Sequence, residues 1–181
     1  TDISKDKLDI IIKAFETVDA SHGNYHLSIV GLTREGFCAT YPQGESVLAD
    51  MSDRIDFFKR VSHNESIRFL KTADYCIFIR EPSRKNNAGF PTKFAECVTA
   101  GCGIVTNNIS DIKKYFPSDG SGFIIDRPDY RELSDAITAA IERIDKLGRM
   151  ERKTPNDKFD YHNYKTQITD LFNRLDNKSE R

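Results

Sequence analysis

Several features that would mark a particular class of protein are missing from this sequence. No apolar run approaches the roughly 18 residues that a membrane-spanning helix needs. The 27 basic and 28 acidic residues leave a net charge of −1, so charge alone does not favour binding to nucleic acid or to a membrane surface. No signal peptide is visible and the chain opens on threonine, so we expect a piece of a longer cytoplasmic protein.

Patterns typical of metal sites and of catalytic nucleophiles are missing too. No C-x-x-C pair and no G-x-S-x-G turn occurs, and the histidines lack ligand-like spacing to each other or to the cysteines. We therefore expect free thiols in a reducing compartment, with structural disulfides or a zinc site as the alternative. The residues concerned are Cys38, Cys76, Cys97, Cys102, His22, His26, His63 and His162.

What the sequence does contain is an alternation of helical and extended segments. Apolar residues at helical spacing predict a helix in KLDIIIKAFETV, and SHNESIRFLKTA opens with the capping box of Ser62 and Glu65. Short apolar runs such as LSIVG, DYCIFIR, GIVT and SGFIID predict strands. This order predicts a single α/β domain over residues 1–181 with a doubly wound parallel sheet. Because such a domain normally starts with a strand, we expect its first strand to lie upstream.

The segment from Asn86 to Thr106, NNAGFPTKFAECVTAGCGIVT, combines a polar loop, a helix and a strand. Helix-start amides at Thr92, Lys93 and Phe94 suit an anion such as phosphate, and Gly89 permits a close approach. Glu96 lies one turn further along the same face and would suit the hydroxyl groups of a sugar. Phosphate and ribose together describe a nucleotide. The alternative is a surface helix whose glutamate merely faces water.

The same segment resembles the C-terminal domain of family 4 retaining glycosyltransferases of the GT-B fold. Their signature is roughly E-G-F-G-x-P-x-x-E-A-x-x-x-G-x-P-V-V, and residues 88–105 here are AGFPTKFAECVTAGCGIV. The resemblance covers nearly the whole chain. It implies a Rossmann-like donor-binding domain, with a C-terminal helix over residues 161–176 packing across it and an N-terminal acceptor domain absent from this sequence.

The resemblance also implies roles for individual residues. Glu96 matches the glutamate that holds the nucleotide ribose. A basic residue near the first helix, Lys5 or Lys7, would stabilise the leaving diphosphate. The remaining predicted nucleotide-binding residues are Gly89, Phe90, Pro91, Thr92 and Lys93 beside the diphosphate and sugar, and Arg60 and Val61 near the base. Arg80, Arg84 and Lys85 are basic loop residues that would help to hold diphosphate or would simply be solvated.

This chain departs from the family pattern at one position. The first glutamate of the signature falls on Ala88, so no carboxylate can contact the donor sugar from there. Either Asn86, Asn87 or Glu81 takes its place, or the activity is altered. No D-x-D motif occurs, so the metal–diphosphate clamp of the other main glycosyltransferase fold is unsupported and we expect no metal cofactor.

The function implied is transfer of a sugar from a UDP- or GDP-sugar to a carbohydrate or lipid-linked acceptor, in polysaccharide or glycoconjugate biosynthesis. We expect no nucleic-acid partner, a cytoplasmic location, and any attachment to the inner membrane through the N-terminal domain. Two alternatives are a flavodoxin-like binding or regulatory domain without catalysis, and a nucleotide-sugar epimerase of the GT-B type. We expect the 181 residues alone to bind nucleotide weakly and to be inactive.

Overall fold

The computed structural model of the protein describes residues 5–18, 25–41, 43–51, 53–117, 120–147 and 157–179. Helices and strands alternate along them. The strands are β1 (Leu27–Val30), β2 (Ile55–Phe58), β3 (Tyr75–Phe78), β4 (Gly103–Asn107) and β5 (Gly122–Ile125). The helices are α1 (Leu8–Thr17), α2 (Arg34–Thr40), α3 (Gly44–Ala49), α4 (His63–Thr72), α5 (Arg84–Asn87), α6 (Thr92–Ala100), α7 (Tyr130–Leu147) and α8 (Lys165–Ser179). Short 3-10 turns span Ile112–Lys114, Asp157–Phe159 and Tyr161–Tyr164.

All strand pairs in these described ranges are parallel. β1 pairs with β2 in one sheet, and β3, β4 and β5 form a second sheet in that order. Parallel neighbours must be joined by crossover segments, and here the crossovers are helical. The predicted α/β fold with a parallel sheet is confirmed.

Hydrophobic side chains cover both faces of the larger sheet. Ile79 and Val105 belong to one core together with α1 and α7, whereas Phe78 and Ile104 belong to a second core beneath α6. Successive side chains of a strand point to opposite faces, so the two cores lie on opposite sides of the sheet. Helices on both faces are the doubly wound arrangement that the sequence predicts.

The elements differ from the predicted ones mainly at polar segments. Helix α2 was not predicted, and the loop EPSRKNNAG contains the short helix α5. Both helices begin with a side-chain cap. The Thr33 hydroxyl accepts a hydrogen bond from the Gly36 amide, and the Ser83 hydroxyl accepts one from the Asn86 amide. Such local bonds stabilise a helical turn where hydrophobic periodicity gives no signal.

The C-terminal helix starts later than the sequence predicts. Residues 161–164 form a 3-10 turn instead of the predicted start of a helix, and α8 begins at Lys165. Ile168, Leu171 and Phe172 are exposed, so the predicted packing of this helix across the domain is not observed in the described residues. Periodicity identifies an apolar face but does not say what covers it. No helix in the described residues is long and apolar enough to cross a bilayer.

The capping box of α4 forms as predicted and provides a test of the local fold. The Ser62 hydroxyl accepts the Glu65 amide, and the Glu65 carboxylate accepts the Ser62 amide at 2.9 Å. We expect Ser62→Ala to lower the free energy of unfolding by about 1 kcal/mol in a urea titration followed by circular dichroism. Asn64→Ala, an exposed change in the same turn, is the control and should have a smaller effect. Equal effects would contradict a role for the cap.

Candidate functional site

Helix α6 begins directly after the loop that leaves the carboxyl end of β3. Pro91 is its N-cap residue, and no side chain caps this end of the helix. The Phe94 amide donates to the Pro91 carbonyl at 3.0 Å, so the helix tip offers an anion the amides of Thr92 and Lys93, and the expectation for Phe94 is wrong. The helix ends at Gly101, whose φ of 71° is left-handed, the conformation that glycine adopts most readily at a helix end.

Large aromatic side chains hold this tip in place. Phe94 is fully buried, and its ring lies 5.6 Å from the half-exposed ring of Phe90 and 6.2 Å from that of Phe159. Phe90 also packs on Tyr115 at 5.3 Å. Gly89, next to this cluster, is exposed, and a methyl group added there would meet nothing within 4 Å. The space in front of Gly89 is therefore open to a ligand.

Beside the helix tip, three segments bring a buried carboxylate between two cations. Asp6, just before α1, is only 6% exposed. Its oxygens face Arg80 Nη2 at 3.4 Å and, within hydrogen-bond distance, Lys93 Nζ. Asp6 Oδ1 and Arg80 Nε are nevertheless buried without a hydrogen-bond partner. The cluster therefore keeps unused hydrogen-bonding capacity next to Lys93, one of the residues predicted to bind the phosphate.

A second ion pair joins the start of α1 to the loop after β3. Lys7 Nζ lies 2.8 Å from Glu81 Oε2, and this hydrogen bond is the main reason that the pKa of Lys7 is raised. Lys7 also has a left-handed backbone conformation, with φ of 46°. Two residues that the sequence suggests for different roles, Lys7 and Glu81, thus bind each other.

The position of Arg80 is fixed by a residue that sequence reasoning missed. Asn107, fully buried at the end of β4, accepts the Arg80 amide and donates to the Arg80 carbonyl, each at 2.8 Å. Asn107 follows four apolar or β-branched residues, and a polar side chain at the carboxyl end of a strand is the signal that could have identified it. No local pattern identifies Asp6, which lies between Lys5 and Lys7 in the sequence.

Glu96 is half-buried and lines a cavity of about 540 Å³ together with Lys93 and Asp6. The structure therefore brings Glu96, the helix tip and the charged cluster to one region. Thr92 is exposed at the tip, and Pro91 is buried behind it. Lys93 and Glu96, which are predicted to bind the phosphate and the ribose, thus line the same cavity.

The other predicted residues are more scattered. Arg60 and Val61 follow β2 and lie in the segment before α4, whereas Arg80 of the charged cluster follows β3, a strand of the other sheet. Lys5 is exposed at the start of the described chain. Arg84 and Lys85 are exposed on α5. Their roles stay predictions.

The side chains of Asn86 and Asn87, next to Ala88, form hydrogen bonds with backbone groups of the protein. Asn86 donates its side-chain amide to the Glu81 carbonyl at 2.8 Å, and the Asn87 side chain accepts the Ser110 amide at 3.1 Å. Ala88 itself is exposed at the end of α5. Of the three suggested substitutes for the missing carboxylate, Glu81 alone is charged, and it is held by Lys7.

The cysteines are free thiols, and three of them adjoin each other beneath α6. Hydrogen bonds with Cys102 and Cys76, together with burial, raise the pKa of Cys97 and keep its thiol protonated. His26 and His162 bond to Asp56 and Asp160, whereas His22 lies outside the described residues. Across the described part of the chain, no group of three His, Cys, Asp or Glu residues could hold a metal ion.

Comparison with known proteins decides the family. The model of the family described as "Glycosyl transferases group 1" matches residues 3–157. The chain belongs to the group 1 glycosyl transferases. This membership confirms the glycosyltransferase prediction and favours it over the flavodoxin-like and epimerase alternatives. Among curated proteins no match was found.

Solved structures of other glycosyltransferases share the fold of this group 1 member. Anabaena Alr3699/HepE, in complex with UDP, has a TM-score of 0.71 at 15% identity, over 93% of this chain and 45% of that one. Sucrose-phosphate synthase from Thermosynechococcus elongatus has a TM-score of 0.65 at 18% identity, over 96% and 43%. WaaG, a glycosyltransferase involved in lipopolysaccharide biosynthesis, has a TM-score of 0.59 at 20% identity, over 78% and 36%.

These similarities confirm the Rossmann-like GT-B domain as the fold. The group 1 member described here spans less than half the length of each of these neighbours. What the complete enzyme transfers, and to which acceptor, is therefore a matter for proposal.

Proposed function

We propose that this group 1 domain binds the donor of a retaining glycosyltransferase that takes a UDP- or GDP-sugar. The observation that carries the proposal is the meeting of the uncapped α6 tip with Glu96 and the cluster of Asp6, Arg80 and Lys93. A diphosphate at the tip would accept the Thr92 and Lys93 amides, where the helix dipole favours negative charge. Glu96 would accept hydroxyl protons from the ribose. UDP in the HepE structure supports a uridine donor.

The chemistry is transfer of a glycosyl group with net retention at the anomeric carbon. The bond from this carbon to the diphosphate oxygen breaks, and its electron pair stays on the diphosphate. The acceptor hydroxyl oxygen forms the new bond to the anomeric carbon, and its proton passes to the departing diphosphate oxygen. Amides and cations fixed before the reaction stabilise the negative charge that develops on the leaving group. Lys7 or Lys5 would contribute there, and an N-terminal domain would bind the carbohydrate or lipid-linked acceptor.

The test is a titration of the 181-residue chain with UDP and GDP, comparing the wild type with Glu96→Gln. Loss of charge-assisted hydrogen bonds is worth about 1.5–3 kcal/mol, so we expect about 10- to 100-fold weaker nucleotide binding. Glu16→Gln, on the exposed side of α1, is the matched control and should leave the affinity unchanged. Equal affinity of wild type and Glu96→Gln would contradict the ribose assignment.

Further measurements test the remaining expectations about metal, the acceptor domain and the type of biosynthesis. Addition of EDTA should not change the affinity, because the proposed site holds the diphosphate with amides and cations. Sugar transfer by the isolated chain would contradict the proposed need for a separate acceptor domain. Detection of transfer only in a longer chain, to a carbohydrate or lipid-linked acceptor, would support a place in polysaccharide or glycoconjugate biosynthesis.

A further inference from the structure

Three of the four cysteines lie together in the hydrophobic core beneath α6, and nucleotide binding does not explain them. Cys76 lies on β3, Cys97 on α6, and Cys102 just before β4. Cys97 and Cys102 are buried, whereas Cys76 is half-buried. All three are free thiols. We call Cys76, Cys97 and Cys102 the thiol cluster.

The end of α6 holds two members of the thiol cluster close to each other. The Cys102 amide donates to the Cys97 carbonyl at 3.0 Å, and the Gly101 amide donates to the Val98 carbonyl at 3.2 Å. Because Gly101 has a left-handed backbone, these two bonds form a Schellman motif. In this motif the side chains of the residues joined by the outer bond, here Cys97 and Cys102, are commonly in contact. A disulfide requires such neighbouring side chains that point towards each other.

Hydrogen bonds connect the three thiols. Those of Cys97 with Cys102 and Cys76, together with burial, raise the pKa of Cys97. The Cys102 thiol donates to the Ala73 carbonyl at 3.6 Å. The hydrogen bond with Cys97 is the main reason that the pKa of Cys76 is lowered, and the charge of Lys93 acts in the same direction. The half-buried Cys76 is thus the member whose thiolate is favoured, and the thiolate is the reactive form of cysteine.

We propose that the thiol cluster is a peroxide-responsive redox site, in which Cys76 reacts first and the oxidised state contains a Cys97–Cys102 disulfide. Cys97 lies between the other two thiols in the hydrogen-bonded cluster, so it can exchange partners from Cys76 to Cys102. The final disulfide links residues that the backbone already holds together, and it forms without cross-linking α6 to β3. This proposal does not depend on the proposed donor site.

The oxidation proceeds in three balanced steps. The Cys76 thiolate attacks hydrogen peroxide and breaks its O–O bond, which leaves a sulfenic acid on Cys76 and a hydroxide that is protonated to water. The Cys97 sulfur attacks the Cys76 sulfur, so that a Cys76–Cys97 disulfide forms and a second water leaves. The Cys102 sulfur then attacks the Cys97 sulfur, and Cys76 leaves as a thiolate that takes up the released proton. In sum, two thiols lose their hydrogens and one peroxide becomes two waters.

The experiment treats the folded 181-residue chain with hydrogen peroxide and then blocks the remaining thiols with N-ethylmaleimide in denaturant. Trypsin cleaves after lysine and arginine, so Cys97 and Cys102 fall in one peptide, residues 94–113, and Cys76 falls in another, residues 72–80. By mass spectrometry we expect peptide 94–113 to lack two hydrogens and to carry no maleimide. Peptide 72–80 should carry one maleimide. Dithiothreitol added before the maleimide should restore both thiols of peptide 94–113.

Single substitutions test the order of the steps. Cys76→Ala removes the thiol that reacts first and should slow formation of the disulfide by about tenfold or more. Cys102→Ala should stop the reaction at the Cys76–Cys97 disulfide, which joins the two peptides. Cys38→Ala, on α2 and outside the thiol cluster, is the matched control and should change neither rate nor pairing. Circular dichroism checks that each variant is folded, and the mapping of the wild type needs no variant.

Three results would overturn the proposal. The first is a wild-type chain whose clustered thiols stay reduced, or whose Cys76 is converted to sulfinic or sulfonic acid without any disulfide. The second is a cross-link between peptides 72–80 and 94–113 as the final wild-type product, because Cys102 would then not complete the exchange. The third is an equal rate of disulfide formation in Cys76→Ala and the wild type, because Cys76 would then not be the thiol that reacts first.

Discussion

The Phe94→Ala substitution is expected to lower the free energy of unfolding by about 3–5 kcal/mol. Phe94 is fully buried in the core beneath α6, where its ring packs against those of Phe90, Phe116 and Phe159. Removing the ring leaves a cavity that these neighbours can fill only in part. Thermal unfolding followed by circular dichroism measures the loss, which corresponds to a fall in melting temperature of roughly 6–20 °C.

Phe172→Ala is the matched control for this substitution. Its ring is 60% exposed on α8, so its loss should change stability by less than about 1 kcal/mol. Phe94→Leu, which retains most of the buried volume, should fall between the two. A small effect of Phe94→Ala would contradict the role of this ring in holding the helix tip.

The second large effect is expected for Asp6→Asn. The Asp6 carboxylate lies between Arg80 and Lys93, so its neutralisation leaves two cations facing each other. Breaking a fully buried ion pair costs about 3–5 kcal/mol, but Lys93 is one-third exposed, so we expect about 2–3 kcal/mol here. Urea unfolding at neutral pH, with and without added salt, provides the measurement.

The control for Asp6→Asn is Asp111→Asn. Asp111 pairs with Lys114 at 3.0 Å, but both side chains are more than 60% exposed, so the change should be within about 1 kcal/mol. Equal stability of Asp6→Asn and the wild type would show that Asp6 does not hold the two cations. A loss of stability for Asp6→Asn alone would support the cluster as a structural part of the site.

The sequence predicted the elements whose signal is local. Hydrophobic periodicity predicted α1, and the pattern of Ser62 and Glu65 predicted the start of α4. Each of these signals lies within a few residues of the element that it specifies. The family resemblance assigns Glu96 and the α6 tip to one nucleotide site, which stays a prediction.

What the sequence did not predict depends on contacts between distant segments. Asp6 and Lys93 are 87 residues apart, and Asn107 bonds to Arg80 across 27 residues. No local pattern links such positions, since only the fold brings them together. The exposure of the apolar face of α8 could not be predicted from the sequence for the same reason. An apolar stripe identifies one face of a helix but does not say whether another segment covers it.

The most direct test of the proposed donor site is an amide NMR titration of the 181-residue chain with UDP and with uridine. We expect UDP to shift the amides of Thr92 and Lys93 at the α6 tip together with residues around Glu96. Uridine lacks the diphosphate and should shift the Thr92 and Lys93 amides much less. Identical shifts from both ligands, or shifts that leave the α6 tip unaffected, would contradict the assignment of the diphosphate to this helix.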